Sequence, residues 1–170
     1  MVSPDSSRLD LSNRLFFRLY QCANMLHKTG SRAVEQEGLT TQQWAVLGAL
    51  SRPVAAQGMP VGELARYLMV TRQNLTGLIS RMTRDGHVLQ EADPRDKRAK
   101  LVKMTERGRQ VWLHDAQPKI AQYYDEALAG FSTNDLAHTL HYLLKLLGNM
   151  QTIDQAHGAP EAEADEAPTS

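Results

Sequence analysis

The sequence predicts a mostly α-helical protein that carries one small β-hairpin. Three observations predict it. Apolar residues recur at helical spacing through about residues 9–37, 71–84 and 105–153. Two short runs, residues 88–91 and 100–104, are strand-sized. The polar segment between them, residues 93–99, contains Pro94 and reads as a hairpin loop.

Residues 1–8 are polar and are expected to be flexible. In the helix from about Leu9, Leu11, Leu15, Leu19, Cys22 and Leu26 form one stripe, and Phe16, Phe17, Tyr20, Ala23 and His27 form a second, more aromatic side. A helix apolar on two sides is sandwiched between two bodies, here its own domain and a partner subunit. Gly38 ends it. Thr40 to Gln43 offers a capping signal, and Trp44, Leu47 and Leu50 give the next helix an inner face. Pro53 and Gly58 punctuate a loop. Pro60 opens a short helix through Leu64, Ala65 and Leu68, and Met69-Val70 is a tight link. Thr71 caps a helix that runs to Arg84, with Asp85-Gly86 as its stop. After the hairpin, Thr105 caps a long helix with Val111, Trp112 and Ile120, which Pro118 is expected to bend. Ser132 starts the last helix. Its Leu136, Leu140, Leu143, Leu144, Leu147 and Met150 form a stripe that wants a partner, most simply a second copy of the chain. From Asp154 the tail is rich in Ala, Glu and Pro and is expected to be disordered.

With 170 residues the chain is long enough for one domain with a real core. No run of about 18 uncharged apolar residues exists, so no membrane span is expected. The N-terminus lacks a secretory apolar segment, and a single cysteine cannot form an internal disulfide, so a soluble cytoplasmic protein is expected. The net charge of zero conceals an uneven distribution. Residues 154–170 hold five acidic residues and no Lys or Arg, whereas residues 66–109 hold 11 basic against 5 acidic residues. Concentrated positive charge of this kind suits a polyphosphate partner.

On a helical wheel, Leu75, Leu78, Ile79 and Met82 gather on one side of residues 71–84. Opposite lie Gln73, Gly77, Ser80 and Arg84, flanked by Thr76 and Arg81. These side chains suit base edges in a major groove, and Gly77 lets the helix backbone approach closely. Arg72 and Asn74 sit on the shoulders, where phosphate contacts are expected, as they are for Arg84. With the preceding short helix this forms a helix-turn-helix. The hairpin loop adds Arg95, Lys97, Arg98 and Lys100, with Asp93 and Asp96 among them to hold an arginine in one rotamer. Arg98, beside Lys97, is the residue expected to enter a minor groove.

No nucleophile elbow, phosphate loop or metalloprotease motif occurs, so no enzyme is expected. His138 and His141 lack a clear third ligand, so neither metal nor other cofactor is expected.

Residues 70–109 resemble the winged-helix segment of MarR-family transcriptional regulators. The matching stretches are L-T-G-L-I-S-R-M-T-R-D-G, D-P-R-D-K-R-A-K and L-V-K-M-T-E-R-G, of which the D-x-R-D-x-R wing is the most specific. The resemblance runs from about Leu11 to Met150. It implies a homodimer, with dimerisation helices at about 9–37 and 105–153 and a DNA-binding lobe at about 40–104, all within one domain over 9–153. It implies reading of a near-palindromic operator, and repression relieved by a small ligand. Peroxide-sensing relatives carry a cysteine in an L-C-F-x-x-Y context. Phe16 stands at that position here, and Cys22 reads as a small apolar residue on the leucine stripe. Trp44 matches a pocket tryptophan of salicylate-responsive relatives, while Asn24 and His27 stand where those relatives carry arginines. Arg18 or Arg32 would then supply the cation for an aromatic carboxylate or its CoA thioester. The competing reading is a dimeric winged-helix scaffold for protein contacts. Its mark would be an acidic or apolar outer face on residues 71–84, which this chain lacks.

Overall fold

The computed structural model describes residues 4–96 and 99–157. The chain divides into two compact units, residues 1–127 and 128–170. The division falls inside the stretch 105–153 that the resemblance assigns to one dimerisation region.

Helix α1 spans Pro4–Ala33. It begins inside the segment expected to be flexible, because a proline in the first turn leaves no N–H unsatisfied and already holds the helical φ. It also stops short of residue 37: a 3-10 turn, Glu35–Glu37, follows, and Gly38 closes it in the left-handed conformation. Leu9, Leu11, Leu15, Phe16, Phe17 and Tyr20 are exposed, whereas Gly30 and the following Val34 are buried. Helix α2, Thr41–Leu50, starts on a capping box. Thr40 Oγ1 accepts from the Gln43 N–H, and Gln43 Oε1 accepts from the Thr40 N–H at 2.8 Å.

Strand β1 is Met59–Pro60, and helix α3, Val61–Leu68, follows directly. Met69 turns the chain in the left-handed region at φ 55°, and helix α4 runs Arg72–Arg84. Strands β2, Val88–Ala92, and β3, Lys100–Met104, form the hairpin. The sheet is antiparallel in the order β1-β3-β2, with Val88 opposite Met104, Ala92 opposite Lys100, and Met59 opposite Val102. The hairpin was expected with two strands. The third is too short to show alternation, and its proline is tolerated because β1 lies at the sheet edge.

The helical run after the hairpin comprises α5, Glu106–Gln110, a π-helical turn, Val111–Ala116, and α6, Gln117–Ala127. Pro118 acts just upstream of itself. It cannot donate to the carbonyl of His114, and its ring crowds that carbonyl. The wide turn shifts the pairing, and the Gln117 N–H donates to the Trp112 carbonyl instead. Helix α7, Thr133–His157, is capped by Ser132 and Asp135, each bonding the other's backbone N–H. It continues past Asp154, so residues 154–157 of the expected disordered tail are helical. The rest of that tail, residues 158–170, lies outside the described residues, as do residues 1–3.

The core of the first unit is built on Val34, Val46, Leu47, Leu64, Leu75, Ile79, Met82, Val88 and Val102, all fully buried. A polar joint fixes the hairpin to its flanking helices. The Thr105 N–H and hydroxyl both donate to the His87 carbonyl at 3.1 Å, and the hydroxyl also reaches the Gly86 carbonyl at 2.6 Å. The joint closes over Gly108, where a Cβ would stand 2.0 Å from the His87 oxygen.

Candidate nucleic-acid interface

Helix α4 forms because Thr71 caps it, accepting from the Asn74 N–H at 3.2 Å, and because its apolar residues recur on one stripe. Leu75, Leu78, Ile79 and Met82 are the buried residues of this helix. Arg72, Gln73, Asn74, Thr76, Gly77, Ser80, Arg81 and Arg84 are all exposed. The wheel read from the sequence therefore separates the two faces as the structure does. The hydroxyls on the outer face are turned back onto the helix. Thr76 Oγ1 donates to the Arg72 carbonyl at 2.8 Å, and Ser80 Oγ donates to the Thr76 carbonyl at 3.0 Å. Arg84 Nε reaches Asp85 Oδ1 at 3.1 Å. A cleft of about 530 Å³ opens beside Gly77, lined by Ala45, Leu68, Leu78, Gln73 and Arg81 among others.

The hairpin loop is organised by Asp93. This side chain is buried, and its Oδ1 accepts from the Arg95 backbone N–H at 2.9 Å and from Arg95 Nε at 3.4 Å. The Arg95 N–H is the main reason its carboxyl sits below the ordinary aspartate range. The sequence assigned such an orienting role to Asp93, and Arg95 is the arginine it holds. Lys97 and Arg98 lie outside the described residues. Within the hairpin, Lys103 Nζ pairs diagonally with Glu91 Oε2 at 2.6 Å across the two strands.

A second constellation lies among α1, α2 and α6. Trp44 is half-buried and packs edge-on against Tyr123 and Tyr124, with ring centroids 6.1 and 5.8 Å away. The Tyr123 hydroxyl lies 3.0 Å from Thr29 Oγ1. Burial pushes the Tyr124 phenol up. A Cβ on Gly30 would meet Thr41 Cγ2 at 2.7 Å and Trp44 Cζ3 at 3.1 Å, so glycine is what lets α1 approach α2 here. Tyr123 also lines a cleft of about 720 Å³ with Thr29, Arg32, Gln36 and Lys119. Lys119 is engaged by Glu37 and by Gln36 Oε1, which leaves Arg32 as the cation of a lining that also carries Glu35 and Glu126.

Comparison with known proteins shows the family. A family model described as the MarR family matches residues 37–99. The chain is 67% identical, over 94% of its length and 91% of the relative's, to the transcriptional activatory protein BadR of Rhodopseudomonas palustris. The chain belongs to the MarR family. It is 31% identical to the homoprotocatechuate degradative operon repressor of Escherichia coli, over 71% of this chain and 80% of that one. Among solved structures it resembles the M. tuberculosis regulator MosR in complex with DNA, with 26% identity and a TM-score of 0.70 over 81% of this chain and 96% of that one. The protein is thus a MarR-family DNA-binding transcriptional regulator with the winged helix-turn-helix fold, and not an enzyme. No helix among the described residues is long and apolar enough to cross a membrane. No group of three or more His, Cys, Asp or Glu among them could hold a metal.

Within this MarR fold, the residues proposed from sequence for an effector do not all gather in one place. His27 Nδ1 lies 2.7 Å from Thr41 Oγ1 and ties α1 to the start of α2. Arg18 is exposed, and its Nη1 donates to Gln21 Oε1 at 2.7 Å. Asn24 is exposed on α1. Arg18, Asn24 and His27 are all absent from the lining of the cleft that Tyr123 and Arg32 share. Trp44, assigned to an inner face with Leu47 and Leu50, does pack against the core they belong to, and it also meets the tyrosine pair. Tyr123 and Tyr124 were missed. Their signal was the stripe Ile120, Tyr123, Tyr124 and Ala127, which has helical spacing.

Proposed function

We propose that this MarR-family regulator acts as a homodimer that reads a near-palindromic operator, with an aromatic acid or its CoA thioester setting operator occupancy. One observation carries the DNA-reading part: eight polar or glycine positions of α4 are exposed opposite a buried four-residue stripe. Gln73, Thr76, Gly77, Ser80 and Arg81 would face base edges. Arg72, Asn74 and Arg84 would meet phosphates, with Arg95, Lys97 and Arg98 reaching the flanking groove. The exposed apolar face of α1 and the leucine stripe of α7 support a second copy as partner. Leu140 and Leu144 are 59% and 58% exposed, far more apolar surface than a terminal helix leaves in water.

An aromatic-acid effector is supported by the cleft between α1 and α6, where Tyr123 supplies an aromatic wall and Arg32 a cation. The name of the relative from E. coli, a homoprotocatechuate degradative operon repressor, supports a role in aromatic-acid breakdown. The sign of regulation expected from the sequence was repression. The relative named an activatory protein shares 67% identity, against 31% for the named repressor, and this favours activation.

The test is a gel shift with the full chain on duplexes selected from a randomised pool, followed by titration with benzoate, hydroxybenzoate, cinnamate, homoprotocatechuate and their CoA thioesters. A palindromic selected sequence and one ligand class that shifts occupancy are expected, with Arg32→Ala blunting the response. A non-palindromic or absent consensus would overturn the dimeric reading, and indifference to every compound would overturn the effector reading.

A further inference from the structure

Helix α4 is short of donors at the centre of its outer face. Thr76 and Ser80 each spend their hydroxyl hydrogen on the carbonyl four residues earlier, at 2.8 and 3.0 Å. What their oxygens can still offer is an acceptor, and Thr76 also carries a methyl group. Between them stands Gly77. A Cβ there would meet only Arg81 Nη1, at 3.8 Å, so nothing inside the protein requires the glycine. Glycine in a helix interior is destabilising relative to alanine. Its reason therefore lies with something that approaches from outside.

We propose that Gly77 and Thr76 form a seat for the C5-methyl group of a thymine, and that this contact fixes one T·A pair in each half-site. The inference rests on α4 being the DNA-reading helix, as proposed above. The chemistry fits thymine better than the other bases. The major-groove edge of guanine offers only acceptors and would need donors, which Thr76 and Ser80 do not present. Thymine brings an apolar methyl, which suits the bare Gly77 backbone, the methyl that the adjacent Thr76 carries, and the apolar side chains of Ala45, Leu68 and Leu78 that line the adjacent cleft with Gly77. The neighbouring Ser80 oxygen is left to accept from an exocyclic amino group, which adenine and cytosine both carry. Gln73 and Arg81, which also line the cleft, keep their donors for purine edges.

The experiment removes only the methyl. The full chain is used to select a duplex from a randomised pool. Each thymine of that duplex is then replaced by deoxyuridine, symmetrically in both half-sites. At one position affinity is expected to fall about fourfold per half-site, and about fifteenfold for the pair. Thr76→Val keeps the methyl and retains most of this discrimination, while Thr76→Ser reduces it. Gly77→Ala fills the seat and reverses it: that variant binds the deoxyuridine duplex more tightly than the thymine duplex. This reversal cannot come from misfolding, which would weaken both. Sequence-specific binding with no thymine sensitive to loss of its methyl would overturn this proposal and leave the DNA-reading role of α4 standing. Selection of no preferred duplex would overturn both.

Discussion

The same substitution at two helical glycines is expected to have opposite effects on stability. At Gly108 an added Cβ would lie 2.0 Å from the His87 carbonyl oxygen, 2.9 Å from its carbon and 3.0 Å from Met104 Cγ. Ordinary carbon–oxygen contacts are about 3.3 Å or longer, so one backbone must retreat by more than about 1 Å. The obstructing oxygen belongs to the joint that receives the Thr105 N–H and hydroxyl, both at 3.1 Å. Retreat breaks a buried backbone hydrogen bond, worth about 1 kcal/mol. It also loosens the Thr105 cap, worth about 1 kcal/mol, and strains the packing by about 2 kcal/mol. Alanine's better helix propensity returns about 1 kcal/mol. Gly108→Ala should therefore destabilise the protein by about 3 kcal/mol. At Gly77 the new methyl would meet only Arg81 Nη1, at an ordinary contact distance of 3.8 Å, and the propensity gain of about 1 kcal/mol remains.

Urea denaturation of both variants and the parent, at one protein concentration, reads the difference. With a slope of about 2 kcal/mol per molar, the midpoint should fall by roughly 1.5 M for Gly108→Ala and rise by roughly 0.5 M for Gly77→Ala. A Gly108→Ala protein as stable as the parent would refute the claim that this joint is closely packed. A destabilised Gly77→Ala protein would refute the claim that Gly77 answers to nothing inside the chain.

Three further outcomes are expected. His87 is buried, and its pKa is lowered by that burial and by Arg107, against a weaker opposing pull from Asp85. Its folded pKa lies below the unfolded one, so it contributes stability above about pH 6.5, and that stability is lost as pH falls through the folded value. Urea midpoints at pH 8 and pH 5 should therefore differ more for the parent than for His87→Gln; equal differences would exclude His87 as the source. Asp93→Ala removes the acceptor that holds the Arg95 backbone and side chain, and should weaken operator binding about tenfold while amide exchange in the hairpin loop accelerates. Slow exchange in that variant would mean the loop is ordered by something else. Replacing Leu140 and Leu144 together by Asp should convert a dimer into monomers in sedimentation and abolish operator binding, because two half-sites are then no longer linked. An unchanged sedimentation coefficient would move the dimer interface off this stripe.

The separation of the two faces of α4 was legible because local rules suffice for it. The wheel of residues 71–84 separates Leu75, Leu78, Ile79 and Met82 from the polar face in sequence as it does in space. Thr40, Thr71, Thr105 and Ser132 announce their helices because a cap depends on bonds only a few residues away. The elements that escaped depend on distant partners. Strand β1 exists only because β3 lies beside it, and two residues carry no periodicity of their own. Pro118 signalled a disturbance, but only the pairing of Gln117 with Trp112 reveals a π-helical turn rather than a kink. Trp44 was noticed singly, yet its position depends on Tyr123 and Tyr124 across the fold, and on Gly30 making room between α1 and α2.

Helix α2 is the element through which an effector near Tyr123 would influence α4. One side of it carries Trp44 against Tyr123 and Tyr124, and Thr41 against His27. Trp44 also packs against the core of Val46, Leu47 and Leu50, which holds Leu64 of α3 and Leu75 and Ile79 of α4. Packed cores do not deform smoothly, so a shift of the tyrosine pair would be passed on as a displacement of α2 against α4. Linkage then imposes a quantitative demand. If the effector changes operator affinity by a given factor, operator DNA must change effector affinity by that same factor, typically 5- to 150-fold. Calorimetric titration of the effector into the free protein and into the operator complex measures both sides. Trp44→Ala should leave operator affinity in the absence of ligand nearly unchanged while bringing the two effector affinities together. If the two affinities stay apart in that variant, the signal does not pass through the aromatic cluster, and α2 is not the lever.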